Sequence, residues 1–480
     1  MTVNKMKIVW MILISLLQPS VLSAAPRKYL FVNDRWIEST YRVHRTIHQP
    51  EREWERPVLV PEHPWEFNVV TVYGTVHRRE NGALQMWYLS WARMGQQTRT
   101  FICYAESKDG FRWTKPDLGL VDFEGSKKNN IVIEFPKGAL DGSTVIFDPD
   151  DPDPKRRYKM LFYAEGKDKY ADIPNGLFAA FSPDGINFNF AERTVSPGTG
   201  DRTNLIFDRG AEFPYVAYTR DYDMMRQIHG RGIYRTQSKD FLNWSRPELI
   251  LHPDLGDDAD LQFYGMGAFP YEGIYLGWVQ VLHTEKDFND LQLVVSEDNK
   301  TWQRTMPRQN FLSVGQSGRW DQRWVGFSSN PPIVMHEKLW FYYEGRNYAH
   351  NMRYPLPYSA IGVATLRIDG FASIDARFMS GGLTTKAINY KGESLYLNLT
   401  NRTYSGYTNN PPSAWIKVEV QDETGKPIPG MTLAECPPLQ VDSTRHQVNL
   451  PESALAAQRG KRIKLKFELV NSSLYSFWFE

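Results

Sequence analysis

The sequence predicts an all-β protein, a five-bladed β-propeller followed by a C-terminal β-sandwich. Three observations predict this fold. A short turn motif returns five times along the chain, β-rich runs precede each copy, and a different, period-two alternation begins near residue 376. A motif that repeats along the chain in this way indicates similar structural units that pack side by side.

The repeated motif joins a β-rich run to an Asp-centred turn, with an aromatic residue four positions after the Asp. The five aspartates are Asp109, Asp184, Asp240, Asp298 and Asp369. The aromatic residues are Trp113, Phe188, Trp244 and Trp302, and Ser373 takes this place in the fifth copy. Asp followed by Gly favours a tight turn, because Gly adopts positive φ and Asp bonds its own downstream backbone. We expect the aromatic residue to close its hairpin against the neighbouring blade.

The runs upstream of each turn predict the first two strands of a blade. Examples are YKMLFYAEG from residue 158, PYVAYTRD from 214 and KLWFYYEGR from 338. Their aromatic and β-branched content is typical of strands. The run PVLVPEHP from 57 precedes the first blade, and we expect this N-terminal segment to supply an outer strand that closes the ring and removes a free sheet edge.

The predicted division of the chain is a secretory signal at 1–25, the propeller at 26–375 and the sandwich at 376–480. The signal is indicated by Lys5 and Lys7, then the apolar run 8–17, then the small residues 23–25. The apolar run is too short to span a bilayer. We expect a periplasmic or secreted protein, with an N-terminal membrane anchor as the alternative.

Composition limits the classes of partner. The 56 Lys and Arg residues balance 55 Asp and Glu, so charge gives no reason to expect a nucleic-acid or anionic-membrane partner. The 15 Trp and 25 Tyr residues include candidates for surface platforms. Cys103 and Cys436 are the two cysteines, and we expect two buried thiols, with a pair across the domains as the alternative.

The candidate site lies on the propeller face where first strands begin and second strands end, because polar residues at those points converge around the central channel. The candidate catalytic carboxylates are Glu66, Asp141, Asp201, Asp260, Asp321 and Glu344. The candidate substrate-binding residues are Asn68, Arg202, Arg220, Tyr264, His283, Trp324 and Arg346. For each carboxylate, the alternative is a loop cap or an ion pair with a nearby Arg.

Such residues suit sugar chemistry. Cleaving a glycosidic bond needs one carboxyl group to protonate the leaving oxygen and a second to act as nucleophile or base. Tyr and Trp stack on sugar rings, and Arg, Asn and His bond hydroxyls or an acidic substituent. Three functions stay open: a glycoside hydrolase, a non-catalytic carbohydrate-binding propeller, and a lyase or phosphorylase whose arginines hold a uronate or phosphate.

No cofactor motif is present. The sequence has no Walker loop, Rossmann glycine pattern, H-E-x-x-H or G-x-S-x-G, and we expect no cofactor and no metal-ligand set. The acidic loop at residues 148–153 predicts a solvated turn. A second cluster, Asp257, Asp258 and Asp260, leaves Ca²⁺ as an alternative, although the regular spacing of a calcium loop is missing.

Several segments together resemble a known group of proteins. They are FVNDRWIE, PWEFNVVTVYGTV, CYAESKDGFRW, YYEGRN and VEVQDETGKPIPG, and they cover nearly the whole chain after the signal. The chain looks like uncharacterised exported bacterial proteins that are similar to the N-terminal domain of glycoside hydrolase family 32. The resemblance implies the five-bladed propeller of families 32 and 43 and a role in polysaccharide breakdown.

The resemblance also implies positions for the reacting groups. Asp141 in DGSTVIFDP stands near the place of the Asp in the R-D-P motif of family 32. Glu66 or Asn68 stands where the nucleophile segment begins, and Asp201 or Arg202 stands near the general-acid segment. The W-M-N-D-P-N-G-like and R-D-P motifs themselves are not intact.

Overall fold

A computed structural model describes residues 28–480, except 95–96, 136–137, 167–174, 192–193, 198–199, 228–229, 351–356, 393 and 402–412. The predicted secretory signal at 1–25 lies outside the described residues. Among the residues described, no helix has the length and apolar character needed to cross a membrane.

The described residues confirm the predicted five-bladed propeller, each blade being an antiparallel sheet. Blade 1 contains Val70–Thr71 and Val76–Arg78 as successive parts of its first strand, then Leu84–Met94, Gln97–Ser107 and Ile131–Glu134. Blade 2 contains Gly138–Phe147, Tyr158–Gly166, Gly176–Ser182, and the outer pieces Asn189–Phe190 and Ser196–Pro197. Blade 3 contains Asn204–Phe207, Tyr215–Thr219, Ile233–Ser238 and Glu248–Leu251.

Blades 4 and 5 follow the same order. Blade 4 contains Leu261–Tyr271, Ile274–His283, Phe288–Ser296, and the outer pieces Gln303–Arg304 and Asn310–Leu312. Blade 5 contains Trp324–Phe327 and Ile333–Met335, then Lys338–Arg346, Ser359–Arg367 and Glu51–Arg52. A parallel contact between Asn289 and Trp324 joins the two blades. Outside these sheets lie the helix Tyr222–Gln227 and the 3₁₀ turn Pro154–Arg156.

The repeated turn lies between the third and fourth strands of a blade. In blade 3, Asp240 accepts backbone N–H bonds from Leu242 (2.9 Å) and Asn243 (2.8 Å), and Ser238 donates its hydroxyl to the same carboxylate (3.1 Å). Asp109, Asp184 and Asp298 repeat this pattern. Burial acts to raise the pKa of Asp240, but the bonds from Asn243 and Leu242 outweigh it and lower the pKa to about 2. The turns therefore favour an ionised carboxylate.

Two of the aromatic residues that follow the turns, Trp113 and Trp302, pack against the preceding blade, as predicted. Trp113 of blade 1 meets Tyr342 of blade 5 edge to face at 5.5 Å between ring centroids. Trp302 of blade 4 meets Tyr218 of blade 3 at 5.7 Å. These contacts seal neighbouring blades with large apolar surfaces.

The fifth copy of the motif has a different role. Asp369 is buried and accepts hydrogen bonds from Tyr271 (2.7 Å), Ser476 (2.9 Å) and Lys28 (3.1 Å). These partners belong to blade 4, the last strand of the chain and the start of the described residues. The carboxylate therefore joins the propeller to the C-terminal domain.

The ring closes through the N-terminal segment, which confirms that prediction. Glu51–Arg52 pairs with blade 5, and Leu59 bridges to Ile361. The Arg52 Nε donates to Asp321 Oδ2 at 2.7 Å, and the Arg52 guanidinium also donates to the Ser313 carbonyl at 2.6 Å. We name this contact between Arg52 and Asp321 the closure pair. It fixes the outermost strand of blade 5 to the chain that leads into the innermost one.

The C-terminal β-sandwich has two sheets within the described residues. One contains Tyr29–Leu30, His44–Ile47, Ala372–Ala376, Leu395–Asn401, Ser443–Gln447 and Ser472–Phe479. The other contains Ile37–Tyr41, Gly381–Thr385, Ile388–Asn389, Trp415–Asp422 and Arg462–Val470. The strand Arg462–Val470 alternates between buried and more exposed positions, as its period-two sequence predicts. The short helix Glu452–Ala456 lies beside them.

The strand ladders divide the chain differently from the predicted boundary at 375/376. That boundary falls inside Ala372–Ala376, and strands from the segment 29–47 pair with sandwich strands. Leu30 and Ile47 share an apolar cluster with Phe269 and Phe341 of the propeller. The N-terminal chain thus crosses the sandwich before it closes the ring, so sequence order does not separate the two domains.

Replacing Asp321 by Ala tests the closure pair. The Asp321 carboxylate is fully buried, and removing one partner of a buried ion pair costs about 3–5 kcal/mol. We expect the free energy of unfolding to fall by about this amount in urea titrations. The control is Glu55→Ala on the same segment, whose side chain is 92% exposed. A stability change for Asp321→Ala as small as that of the control would contradict the role of the pair.

Candidate functional site

The first strands of all five blades contact one another near the ring centre. The Ser329 N–H of blade 5 donates to the Gly74 carbonyl of blade 1 at 3.1 Å. Thr144 of blade 2 bonds to Ser329 at 3.0 Å and to the carbonyl of Thr203, at the start of blade 3, at 3.1 Å. Asn204 of blade 3 donates to the Met266 carbonyl of blade 4 at 2.6 Å. These hydrogen bonds hold the five first strands together at this level. Side chains at the beginnings of the strands therefore gather above it.

A buried charged cluster fills the ring centre. Glu344 accepts hydrogen bonds from Trp324 Nε1 at Oε1 (2.8 Å) and from Arg346 at Oε2 (3.0 Å). The Arg202 guanidinium lies 3.3 Å from Oε1. Arg346 also donates to the Tyr73 hydroxyl, and the Arg202 guanidinium lies 3.6 Å from the centroid of the Tyr73 ring. All five side chains are buried. We name this group the central cluster.

A glycine makes room for the central cluster. A Cβ atom on Gly326 would lie 2.5 Å from Gln280 and 2.8 Å from the Glu344 carboxylate. Such distances are too short for non-bonded atoms, so only Gly allows Glu344 to approach the first strand of blade 5. Glu344 consequently sits below the surface of the face, where its charge is matched by guanidinium groups.

Asp141 and Asp201 form a carboxylate pair closer to the mouth. Asp201 is 28% exposed and accepts a 2.6 Å bond from Arg220 Nη1. Asp141 lies at a bulge in the first strand of blade 2 and accepts the N–H of Gly142 at 2.7 Å. Gly142 has φ +49°, and a Cβ atom there would lie 2.1 Å from the Asp201 carbonyl oxygen. The bulge thus packs directly against the start of blade 3.

The environment of Asp141 raises its pKa, so a large fraction of this carboxyl group is protonated near neutral pH. Burial and the neighbouring Asp201 carboxylate raise the pKa of Asp141 to about 7, against the lowering effects of the Gly142 N–H, Arg202 and Arg346. Two nearby carboxylates resist simultaneous ionisation, and desolvation adds to the same effect. Asp201 is paired with Arg220, and Asp141 is the carboxyl group whose pKa is raised. The site therefore combines a proton donor with an ion-paired carboxylate.

An aromatic and basic wall borders the pair. Arg220 donates to the Tyr264 carbonyl (2.7 Å), and its guanidinium lies 4.1 Å from the centroid of the Tyr264 ring. Tyr264 meets Trp324 edge to face at 4.6 Å and His350 at 5.6 Å. Arg231 binds Gln262 (2.5 Å) and contacts His350 (3.3 Å). The wall can offer ring stacking and hydrogen bonds to a ligand.

The structure brings most of the predicted site residues together around the ring centre. They are Asp141, Asp201, Arg202, Arg220, Tyr264, Trp324, Glu344 and Arg346. Sequence reasoning missed Tyr73, Arg231, Gln280 and His350. Tyr73 lies between the two parts of the first strand of blade 1, and Gln280 lies on the second strand of blade 4. Neither segment was predicted as a strand from the sequence, and an inward-facing assignment of the second strand of blade 4 could have found Gln280. Arg231 precedes a third strand and has no distinguishing signal.

Other predicted residues make local contacts instead. Glu66 accepts hydrogen bonds from Tyr88 (2.6 Å), Lys115 (2.9 Å) and nearby backbone N–H groups, and it is fully buried. Asp321 belongs to the closure pair. Both carboxylates thus have the ion-pair partners of the alternative interpretation, and each holds a loop or a strand. Their catalytic roles stay predictions.

Blade 4 and the start of blade 1 hold the remaining predicted residues. Asp260 accepts the backbone N–H of Glu285 at 3.0 Å and so caps a hairpin loop. His283 stacks on Phe288 at 4.2 Å and lies 3.6 Å from Asp290. The Asn68 carbonyl accepts the N–H of Ser359 at 3.0 Å. These contacts are local ones, and the catalytic role of Asp260 and the substrate-binding roles of His283 and Asn68 stay predictions.

The acidic clusters are occupied by basic side chains. Asp257 accepts two 2.6 Å hydrogen bonds from Arg304. This contact counts against the calcium alternative, because both carboxylate oxygens already have a cationic partner. Asp148 is buried and, with Asp151, contacts Lys159, so the loop at 148–153 is more than a solvated turn. Within the described residues, no group of three or more His, Cys, Asp or Glu side chains is arranged to hold a metal ion. Cys103 and Cys436 are both buried free thiols.

Fold and site together define an all-β protein, a five-bladed β-propeller with a β-sandwich and a carboxylate pair on its central face. No protein-family model and no curated protein sequence matches the chain, so the resemblance to family 32 stays a prediction.

Similar solved structures have carbohydrate-active descriptions. One solved structure has the description "The GH130 family of mannoside phosphorylases contains glycoside hydrolases that target beta-1,2 mannosidic linkages in Candida mannan". It is 13% identical to this chain, and its TM-score is 0.46. The match covers 67% of this chain and 94% of that chain. A glycosyl hydrolase from Bacteroides ovatus is 14% identical, with coverage of 67% and 94% and a TM-score of 0.45. An N-acetylgalactosamine deacetylase from F. plautii, in complex with blood group B trisaccharide, is 13% identical, with coverage of 69% and 96% and a TM-score of 0.44.

Replacing Glu344 by Gln tests whether this residue supports the fold or reacts. The substitution keeps the shape but leaves Arg202 and Arg346 buried without their counter-charge, so we expect a loss of about 3 kcal/mol in the free energy of unfolding. Urea titration measures it, with the exposed Glu285→Gln as control. Unchanged stability together with complete loss of turnover would instead assign Glu344 to the reaction.

Proposed function

We propose that the protein is a carbohydrate-active enzyme that hydrolyses a glycosidic bond on the central face of the propeller. In this proposal Asp141 is the general acid and Asp201 is the second carboxylate. The observation that carries the proposal is the raised pKa of Asp141, about 7, beside a carboxylate held by Arg220. Glycoside hydrolysis requires two carboxyl groups in these different states.

The contacts of each carboxyl group support its role. Protonated Asp141 donates its proton to the glycosidic oxygen as the bond to the anomeric carbon breaks. The opposite charge of Arg220 keeps Asp201 oriented, and Asp201 acts on the anomeric side, as base or nucleophile. Arg202 and Arg346 stay fixed by Glu344 beneath the pair. Their positive charge limits the rise in the Asp141 pKa, so the proton remains transferable.

The surroundings of the pair support a sugar substrate. Tyr264 supplies an aromatic edge, and Arg231 and His350 supply polar groups at the mouth. These groups match the alternating apolar and hydroxylated surfaces of a sugar ring. With the export expected from residues 1–25, the proposed substrate is an extracellular polysaccharide or an oligosaccharide released from one.

Phosphorolysis is a second candidate reaction. Arg220, Arg231 and His350 surround Tyr264, and such basic groups can hold a phosphate ion that attacks the anomeric carbon in place of water. Turnover that requires inorganic phosphate and yields a sugar phosphate would select this reaction over hydrolysis.

Substituting Asp141 by Asn tests the proposed general acid. We expect kcat/KM on oligosaccharides to fall by on the order of 10²–10⁴, the usual contribution of general acid–base catalysis. For the unmodified protein, we expect kcat/KM to decline as pH rises through about 7, because Asp141 acts in its protonated form. Product analysis by chromatography at several pH values measures both effects.

The matched control is Asp150→Asn, in an exposed loop of blade 2. It should retain the activity of the unmodified protein. Full activity of Asp141→Asn, or an activity that rises through pH 7, would overturn the assignment. Tight polysaccharide binding without any product after long incubation would identify a non-catalytic binding propeller instead.

A further inference from the structure

The N-terminal segment that closes the ring exposes a tryptophan. Trp54 is 45% exposed and stacks on Phe111 of blade 1, with 4.5 Å between ring centroids and 14° between ring planes. Phe111 in turn packs on Trp340 at 4.9 Å. One face of the indole is therefore supported by blades 1 and 5, which fixes its orientation while much of the residue stays in contact with solvent.

Trp54 borders a cleft of about 390 Å³ on the outer edge of blade 5. The other lining residues are Arg52, Glu55, Val314, Gly315, Gln316 and Arg319. The volume lies within the roughly 300–1,000 Å³ of small-ligand sites, and the mixture of an aromatic wall with a few polar groups is typical of them. We name it the Trp54 cleft.

The charges of the Trp54 cleft cancel. Arg52 and Arg319 approach Asp321 at 2.7 and 3.6 Å, and the Glu55 carboxylate lies 4.0 Å from Arg319. The Glu55 carbonyl also accepts a bond from Arg319 at 3.1 Å. Two guanidinium groups thus face two carboxylates, so the cleft favours a ligand without net charge. The same ion pairs keep the polar groups in place before a ligand arrives.

The Trp54 cleft is separate from the carboxylate pair. Trp54 directly follows the outermost strand of blade 5, whereas Asp141 and Asp201 lie at the starts of first strands, next to the channel. A ligand in the cleft would leave the central face accessible.

We propose that the Trp54 cleft is a second carbohydrate-binding site, which takes an uncharged pyranose unit of a polysaccharide against the indole ring. The apolar face of the sugar stacks on Trp54, and its hydroxyl groups bond to Gln316, Arg319 and Glu55. This inference rests on the proposed function, because it presumes a polysaccharide substrate. A site of this kind holds the polymer near the central face and raises its local concentration there.

Binding experiments on the full protein test the Trp54 cleft. Asp141→Asn provides a background in which we expect the polymer to be cut far more slowly. Native affinity gels contain soluble glucomannan, arabinoxylan or arabinan as uncharged probes, and polygalacturonate as an acidic one. In ¹⁵N-labelled protein, the indole N–H signal of Trp54 is identified by its absence from Trp54→Phe.

We expect at least one uncharged polymer to retard the protein and to shift the Trp54 indole signal. Trp54→Ala should weaken the retardation at least ten-fold, and Trp54→Phe should weaken it less because it keeps an aromatic ring on Phe111. Gln316→Ala changes an exposed residue of the cleft and should weaken binding without affecting the fold. Thermal melts check that each variant is folded.

The outcomes separate this inference from the proposed function. Turnover of a polymer by the unmodified protein, with an unmoved Trp54 signal and equal retardation of Trp54→Ala, would overturn the cleft and leave the enzyme proposal standing. Retardation that depends on Trp54, without any turnover, would support the cleft and contradict the enzyme proposal. Retardation by polygalacturonate alone, or by no polymer, would overturn the proposal that the Trp54 cleft binds an uncharged sugar.

Discussion

The structure depends on closing a ring of five sheets with a strand from the opposite end of the propeller sequence. The pairing of Glu51–Arg52 with Ser359–Arg367 removes the free edge of blade 5, and the closure pair ties that strand to the chain entering the innermost strand. Once the ring is closed, the first strands have no freedom to move apart. The bonds among Thr144, Thr203 and Ser329 hold them together at the centre.

Closure determines how charge is distributed around the channel. The first strands converge at the centre, and Glu344 is buried there with Arg202 and Arg346. Buried charges persist only when they are paired, and this requirement is met inside the ring. Nearer the mouth, Asp201 is paired with Arg220, whereas burial and the Asp201 carboxylate outweigh the effects of Arg202 and Arg346 on the pKa of Asp141. The same convergence that stabilises the central cluster therefore leaves a carboxylate pair whose repulsion is relieved by a proton.

The sequence was most informative where structure is local. The turn carboxylates Asp109, Asp184, Asp240 and Asp298 bond to backbone groups two or three residues away, so a short motif was sufficient to predict them. The fifth, Asp369, binds Lys28, Tyr271 and Ser476, which are distant in sequence, and its joining role was not predictable from the motif. Strand pairing by residues 29–47 was missed for the same reason.

The site shows the same limit. Topology correctly indicated that strand starts converge, but it did not separate carboxylates that face the channel from those paired elsewhere. In the sequence alone, Asp321 and Glu66 are candidate catalytic acids. In the structure, Arg52 donates to Asp321, and Lys115 and Tyr88 donate to Glu66. These decisive partners are distant in sequence, Arg52 in the closing segment and Tyr88 and Lys115 in blade 1. Their identity follows from three-dimensional packing and not from spacing along the chain.

The central claim is that ring closure places Asp201 close enough to hold a proton on Asp141 near neutral pH. The most direct measurement is a ¹³C NMR titration of carboxyl-labelled Asp in the full protein, with the Asp141 signal identified by its absence from Asp141→Asn. The account predicts a midpoint of about 7 for Asp141, and a lower midpoint in Asp201→Asn, where the repulsion is removed. A midpoint near the ordinary value of 3.8, unchanged in Asp201→Asn, would contradict it.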